Sequence, residues 1–383
     1  MKKKIAIFTL PLRNYNYGGI LQNYALHQYL LQNFDVEVET IDMQFGNKES
    51  LKRKVKMFLH KTLYQGYYQF RKKSNQYLES FITSKINLSK PLHSQTEIVK
   101  YLNDRKIDVL ITGSDQVWRF DYAGEGKYKQ MYLHFDQKVN AKKISYAASF
   151  GFDEWKFFEK TREIQTYLRT FDGISVREDS GRGILKNTFS LEADHHLDPT
   201  LLLDRAHYHQ LLLQTEKPKT EKKILYAYIL DIDNKKIQVL EKISLNLSAE
   251  LKMIELTSSK LREIHNHNYK DFLHIKAETI PKWLEGFQQA DYVVTDSFHG
   301  MVFSILFDKS FVALGNKKRG MSRFESLVKM FEMPERLHTE FDEQKMTAVL
   351  KTKVNEKRTA QLLVSERKRT YEYFSEFLIP KKR

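Results

Sequence analysis

The sequence predicts an α/β protein made of two parallel-sheet domains. Three observations carry this. Short apolar runs alternate with helical patterns in both halves of the chain, the rhythm of strand–helix–strand units. A polar, proline-containing stretch, residues 214–223 (QTEKPKTEKK), separates the halves. The length of 383 residues exceeds what one domain of ordinary size requires.

In the first half, residues 4–10 (KIAIFTL) read as a buried strand, and Gly18 and Gly19 lie in the loop before a helical stretch over 20–31. Residues 36–41 form a second strand ending at Asp42. Strand, glycine turn, helix, strand and acid outline a Rossmann-type unit, but the GxGxxG fingerprint is absent, so dinucleotide binding is not supported. A basic–aromatic insert over about 51–80 reads as one or two helices. Strands resume at 107–112, opening onto Ser114, Asp115 and Gln116, and at 143–148. Residues 155–170 read as helix, 173–176 as a strand running into Arg177, and a short strand reaches Asp198.

The second half repeats the pattern. Strands are expected at 224–230, 253–256, 292–295 and 311–314, with helices at 234–246, 281–289 and 301–307. Pro281 sits in the first turn of its helix, where its missing N–H costs nothing. Residues 356–378 read as a long amphipathic helix. The expected organisation is 1–213 as the first domain, 214–223 as linker, 224–350 as the second domain and 351–383 as a C-terminal helical segment.

Composition removes several function classes. With no cysteine, disulfides, thiolate metal sites, iron–sulfur clusters and cysteine nucleophiles are excluded. No apolar run approaches the roughly 18 residues of a membrane-spanning helix, and the apolar run behind the N-terminal lysines is too short for a secretion signal. A cytoplasmic protein is expected. Lys plus Arg number 63 against 48 Asp plus Glu, a formal net charge of +15 that points to anionic partners. Eight of the cations fall in residues 51–73, with no acid, among Phe58, Tyr64, Tyr67, Tyr68 and Phe70. This composition suits nucleic acid or an anionic membrane surface. The halves carry no nucleic-acid module signature and the basic run is confined to one insert, so no nucleic acid is expected. The expectation is peripheral contact with the inner face of the plasma membrane, a solvated basic helix being the plain alternative.

Ligands of parallel sheets bind beyond the carboxyl ends of the strands. The candidate site therefore draws on loops of both halves: Gly18–Gly19, Ser114–Asp115, Arg177–Glu178, Ser297–His299 and the basic loop 317–323. His195–His196 and His265/His267 look like metal-ligand pairs but have no third ligand at persuasive spacing, so no metal is expected.

Six segments, in order, resemble the polysaccharide pyruvyl transferase family: 17–26 (YGGILQNYAL), 108–118 (DVLITGSDQVW), 145–151 (SYAASFG), 174–180 (ISVREDS), 197–200 (LDPT) and 290–300 (ADYVVTDSFHG). The resemblance implies two Rossmann-like domains arranged as in B-type glycosyltransferases; by analogy with that architecture the C-terminal helix is expected to pack back on the first, a dimer helix being the alternative. It implies transfer of a pyruvyl group from phosphoenolpyruvate, as co-substrate and with no cofactor, to a sugar or lipid-linked oligosaccharide, forming a ketal and releasing phosphate. The pattern departs at one place. Where many members carry Ser/Thr-x-Arg-x-His, residues 295–299 read TDSFH, so Ser297 stands in place of a cation.

That chemistry assigns roles. A small, multiply charged anion needs Arg or Lys from more than one direction. Arg177 matches a family arginine, and Arg323 a recurring Ser-Arg pair. Arg177, Ser297, Lys317, Arg319 and Arg323 are the expected donor-binding groups. Proton transfer needs an acid and a base, and histidine serves as either. His299, Arg177 and Asp296 are the expected catalytic set, Asp296 either orienting the imidazole or capping a helix. Gly18, Gly19, Ser114, Asp115, Gln116 and Trp118 are the expected acceptor side, with Trp118 either stacking on a sugar or filling the core. Two other activities compete: a B-type glycosyltransferase using a nucleotide sugar, and a basic nucleic-acid-binding protein.

Overall fold

The computed structural model describes residues 2–44, 65–124, 126–212, 222–231, 233–254, 273–275, 279–315 and 320–380. Residues 51–64 of the basic insert and most of the linker, together with His265, His267, Lys317, Lys318 and Arg319, lie outside the described residues.

Two parallel sheets form the frame. In the first, β2 (Val36–Thr40), β1 (Lys3–Phe8), β3 (Val109–Thr112) and β4 (Lys142–Ser145) lie in that order, all parallel. Bridges Ile144↔Gly173 and Ala148↔Val176 continue it onto the short pair β5 (Ser175–Val176) and β6 (Asp194–His195). Ile5, Ile7, Leu110 and Ile111 are fully buried, as strands covered by helices on both faces must be.

The second sheet has six strands: β7 (Lys223–Tyr228), β8 (Ala249–Ile254), β9 (Leu273–Ile275), β10 (Tyr292–Thr295), β11 (Ser310–Leu314) and β12 (Leu337–His338). Their spatial order is β12-β11-β10-β7-β8-β9, again all parallel. Val293 and Val294, adjacent on β10, are both fully buried, so this central strand meets apolar neighbours on either face.

Strand order places the site. The chain runs from β1 outward to β2, then returns to the other side of β1 for β3. It runs from β7 outward to β9, then returns for β10. Helices leaving on opposite faces open a crevice at each reversal. The first crevice lies between the ends of β1 and β3, the second between those of β7 and β10.

The halves meet through apolar and polar contacts. Tyr17 stacks on Trp283 with ring centroids 5.7 Å apart, and the Ser326 hydroxyl accepts from the Asp179 N–H at 2.8 Å. The helix Phe298–Leu306 is buried along its whole length. The terminal helix Glu356–Leu378 packs on the first sheet: Tyr373 donates to the Ser145 carbonyl at 2.7 Å, and Phe374 lies 4.8 Å from the Tyr146 ring. Its Arg367 donates to the carbonyls of Leu201 and Leu203. No helix among the described residues is long and apolar enough to cross a membrane.

Candidate functional site

A cleft of about 480 Å³ lies where the two crevices face each other. Its wall comes from the loops at the strand ends: Thr9–Leu12 after β1, Asp115–Gln116 after β3, Leu230 after β7 and Asp296–His299 after β10. Asn16 and Gly19, at the start of the helix Tyr17–Asn33, and Arg323, on the helix Ser322–Met330, also line it, as do Asp121 and Tyr122.

Beneath the cleft sits a buried charged cluster centred on Asp198. One of its oxygens accepts from Arg177 at 2.7 Å and from the Ser114 hydroxyl at 3.1 Å, and lies 3.6 Å from Nε2 of His299. The other accepts from the backbone N–H and hydroxyl of Thr200. Burial opposes ionisation of Asp198, but His299, Arg177 and Thr200 outweigh it and hold the carboxyl well below its ordinary range. Asp198 caps a turn through Thr200, and it also joins the loops after β3, β5, β6 and β10. Its place in the LDPT segment was the available signal.

Arg177 is fully buried, so it lies under the cleft rather than on its wall. Burial works against its charge, and Asp198, Asp115 and Glu178 more than compensate, raising its pKa. Its second amino group lies 3.4 Å from Asp115, whose carboxyl is held low because Arg177, His299 and Arg323 overcome its burial. Asp115 has a left-handed backbone (φ 79°), which a non-glycine residue adopts at a cost and which here turns it toward the cluster. Arg177 and Arg323 flank one aromatic ring, their guanidinium carbons 4.5 and 5.4 Å from the centroid of Phe298.

Arg323 is the described cation on the cleft wall. Burial and the nearby Arg177 lower its pKa to about 10, so it remains charged at neutral pH. The loop before it is held by Gly320 at φ 91°, where a side chain would strike the Gly151 carbonyl. Glu178 fixes the other side of that contact: one of its oxygens accepts from the Ser149 hydroxyl and from the N–H groups of Phe150 and Gly151. Burial raises the pKa of Glu178.

Other expected residues fall differently. Asp296 lines the cleft, but its carboxylate accepts the backbone N–H groups of Leu230 and Asp231, tying the loop after β7 to that after β10. The carboxylate beside His299 is Asp198. Ser297 is the N-cap of the helix Phe298–Leu306, accepting from the Gly300 N–H. Trp118 is a core residue: it is fully buried, stacks on Tyr132 at 5.5 Å and donates to the Met131 carbonyl. Its indole is not part of the cleft wall, because an apolar ring in the loop after β3 is better buried among Tyr132 and Phe150 than exposed. Ser114 is likewise buried, turned to Asp198. Gly18 packs against His299: a Cβ there would lie 2.1 Å from Nδ1 of the imidazole. Gly19, Asp115 and Gln116 line the cleft. His195 faces Asp179 and the Arg177 carbonyl, whereas His196 stacks on Tyr146, so the two point apart.

Two parallel sheets with a cleft between their switch points define the fold of B-type glycosyltransferases and sugar-nucleotide epimerases. The glycotransferase of kitacinnamycin superposes with a TM-score of 0.56 at 12% identity, covering 99% of this chain and 100% of that one. UDP-GlcNAc 2-epimerase from Neisseria meningitidis, solved with UDP-GlcNAc, gives 0.56 at 9% identity over 98% and 99% of the two chains. MnaA of S. aureus, solved with UDP, gives 0.54 at 12% identity over 100% and 99%. At such identities the likeness is one of fold. The profile of the polysaccharide pyruvyl transferase family matches residues 16–318, and the chain belongs to that family. No curated protein matches it in sequence.

Proposed function

We propose that the chain transfers the pyruvyl group of phosphoenolpyruvate to two hydroxyls of a sugar in a surface polysaccharide or its lipid-linked precursor. The observation that carries this reading is the meeting of His299 and Arg323 on one cleft wall, above the Asp198–Arg177 pair, in a member of this family.

In the proposed reaction a proton adds to the methylene carbon of the donor. A sugar hydroxyl attacks the adjacent cationic carbon and releases its own proton. The carbon–oxygen bond to phosphate breaks, its electron pair leaving with the phosphate. A second hydroxyl then closes the cyclic ketal. Of the two hydroxyl protons, the balance leaves one in the new methyl group and one on phosphate. His299 is assigned to proton transfer, with Asp198 fixing the ring from one side and Gly18 from the other. Arg323 is assigned to the donor anion, together with the N-terminus of the helix Phe298–Leu306. Arg177, buried between carboxylates, is assigned to holding Asp198 and Asp115 ionised.

The test is phosphate release from phosphoenolpyruvate on addition of lipid-linked or aryl glycosides, with His299→Ala and Arg177→Ala as controls. Thermal stabilisation by nucleotide sugars and not by phosphoenolpyruvate would transfer the assignment to a glycosyltransferase. The basic insert is assigned to anionic lipid at the membrane face. Replacing Lys52, Arg53, Lys54 and Lys56 by Gln should weaken liposome binding and leave turnover of a soluble acceptor intact; equal loss of both refutes the anchor.

A further inference from the structure

Beside the reaction cleft lies a second cavity of about 640 Å³, over the carboxyl ends of β1 and β2. The two are continuous, since Leu10, Leu12, Asn14, Asp121 and Tyr122 border both. Residues reached only from the second include Arg13, Asp42, Gln44 and Lys127.

The lining chemistry restricts the occupant. Arg13 is paired with Asp42 at 2.6 Å and with Glu79 at 2.8 Å. Lys127 also lies in the field of Asp42. Among the described residues the cations of this wall are matched by acids, and those residues offer no net charge to a phosphate. They offer carboxylate, amide and ammonium groups at close spacing, the donors and acceptors a polyhydroxylated ligand uses. The exposed amide of Gln44 donates to Asp42 at 2.8 Å, which holds it at the wall. Where the two cavities meet stands the Tyr122 ring, 45% exposed although apolar in character. Arg119 lies 4.5 Å from its centroid and is itself anchored to Gln116 at 3.1 Å, so the ring is held from behind. A fixed, exposed aromatic ring suits the C–H face of a pyranose.

We propose that this cavity is a subsite for a neutral sugar, the residue next to the one being modified, so that the acceptor is an oligosaccharide and Tyr122 sits at the junction of its two sugars. The proposal rests on the pyruvyl-transfer reading for the event in the first cleft, but the subsite is a binding claim that can be measured without turnover.

The experiment compares aryl glycosides bearing one hexose with those bearing a disaccharide that ends in the same hexose. Both kcat/KM with phosphoenolpyruvate and binding by calorimetry without it are recorded for the full chain. The expected result is a preference for the disaccharide of about tenfold or more, on the order of two hydrogen bonds. Gln44→Trp, which fills the cavity, should abolish that preference, and Gln44→Ala, whose side chain is exposed and safe to truncate, should reduce it. Absence of turnover with a disaccharide preference in binding that Gln44→Trp removes sustains the subsite and refutes the reaction. Equal handling of the two glycosides, binding of neither, or a preference that survives Gln44→Trp overturns the subsite. Competitive displacement of the disaccharide by inorganic pyrophosphate, relieved in Lys127→Ala, also overturns it and gives the cavity to an anion.

Discussion

Nε2 of His299 stands 3.6 Å from the Asp198 carboxylate oxygen that Arg177 engages at 2.7 Å. His299 comes from the second half and the other two from the first, so one buried acid fixes the cleft histidine and the charge beneath it. Asp198→Asn keeps the size and removes the charge. Turnover should fall by about two to three orders of magnitude, the scale of a misplaced acid–base group. His299→Ala in the Asp198→Asn background should cost little more, because the two act as a unit. Additive losses in single-turnover assays would separate them.

The same carboxylate should mark the pH dependence of folding. The folded-state pKa values of Asp198 and Asp115 are depressed, so their contribution is present above the ordinary carboxylate value of about 3.9 and is lost as pH falls below it. Urea melts of the wild type and of Asp198→Asn should differ by about 3–5 kcal/mol at neutral pH, the cost of stranding a buried partner such as Arg177. The difference should shrink below pH 4. A gap that stays constant down to pH 3 would remove Asp198 from this role.

Gly18 and His299 are in contact across the halves. A Cβ at 18 would meet the imidazole at 2.1 Å, and the first turn of the helix would otherwise accept alanine. Gly18→Ala should therefore lower kcat by about tenfold or more through displacement of the ring, since misplacements near 1 Å cost up to about a hundredfold. The melting temperature should move little. Gly183→Ala, on a helix away from the cleft and with open space around its Cβ, is the control. Wild-type kcat in Gly18→Ala would show that the ring has room to move.

The strand-end loops were readable because the signals that place them are local. An apolar run followed by polar residues marks β10 and the start of the cleft, and the apolar periodicity of the terminal helix gave its limits at 356–378. Glycine, acid and histidine in those loops then pointed to the cleft. What was not readable depends on which loops face each other. Asp198 pairs with His299 and Arg177 across separate strand–helix units, and no local pattern records that. Arg177 was expected among the donor-binding groups and lies in the floor, because its position depends on two carboxylates brought from other loops. Trp118 sits in the same loop as Gln116, yet one side chain is core and the other lines the cleft, a choice set by the turn rather than by composition.

Trp118 separates a core role from a binding role experimentally. Trp118→Ala should cost about 3–5 kcal/mol of stability, since it empties a stacked and hydrogen-bonded core position. Trp118→Phe should keep most of the packing and lose only the bond to Met131. Its acceptor KM should stay within about twofold of wild type, as a side chain set back from the cleft wall dictates. A raised KM in Trp118→Phe at unchanged melting temperature would put the indole back in the cleft.

Ser297 and Arg323 make a linked prediction. The family pattern carries a cation at the first position; this chain has a helix-capping serine there, and Arg323 on the same cleft wall. If Arg323 supplies the missing charge, Arg323→Met should raise the KM for phosphoenolpyruvate by about tenfold to a hundredfold, the worth of a charge-assisted contact. Ser297→Arg alone should gain little, because it forfeits the cap, worth about 1 kcal/mol, and crowds a third guanidinium toward Arg323 and Arg177. In the Arg323→Met background that crowding is relieved, and Ser297→Arg should restore at least part of the donor affinity. The readout is donor KM across the four proteins, with thermal melts to track the lost cap. Rescue would show that the two positions share one anion. Equal KM values in Arg323→Met and the double variant would show that Arg323 serves something other than the donor.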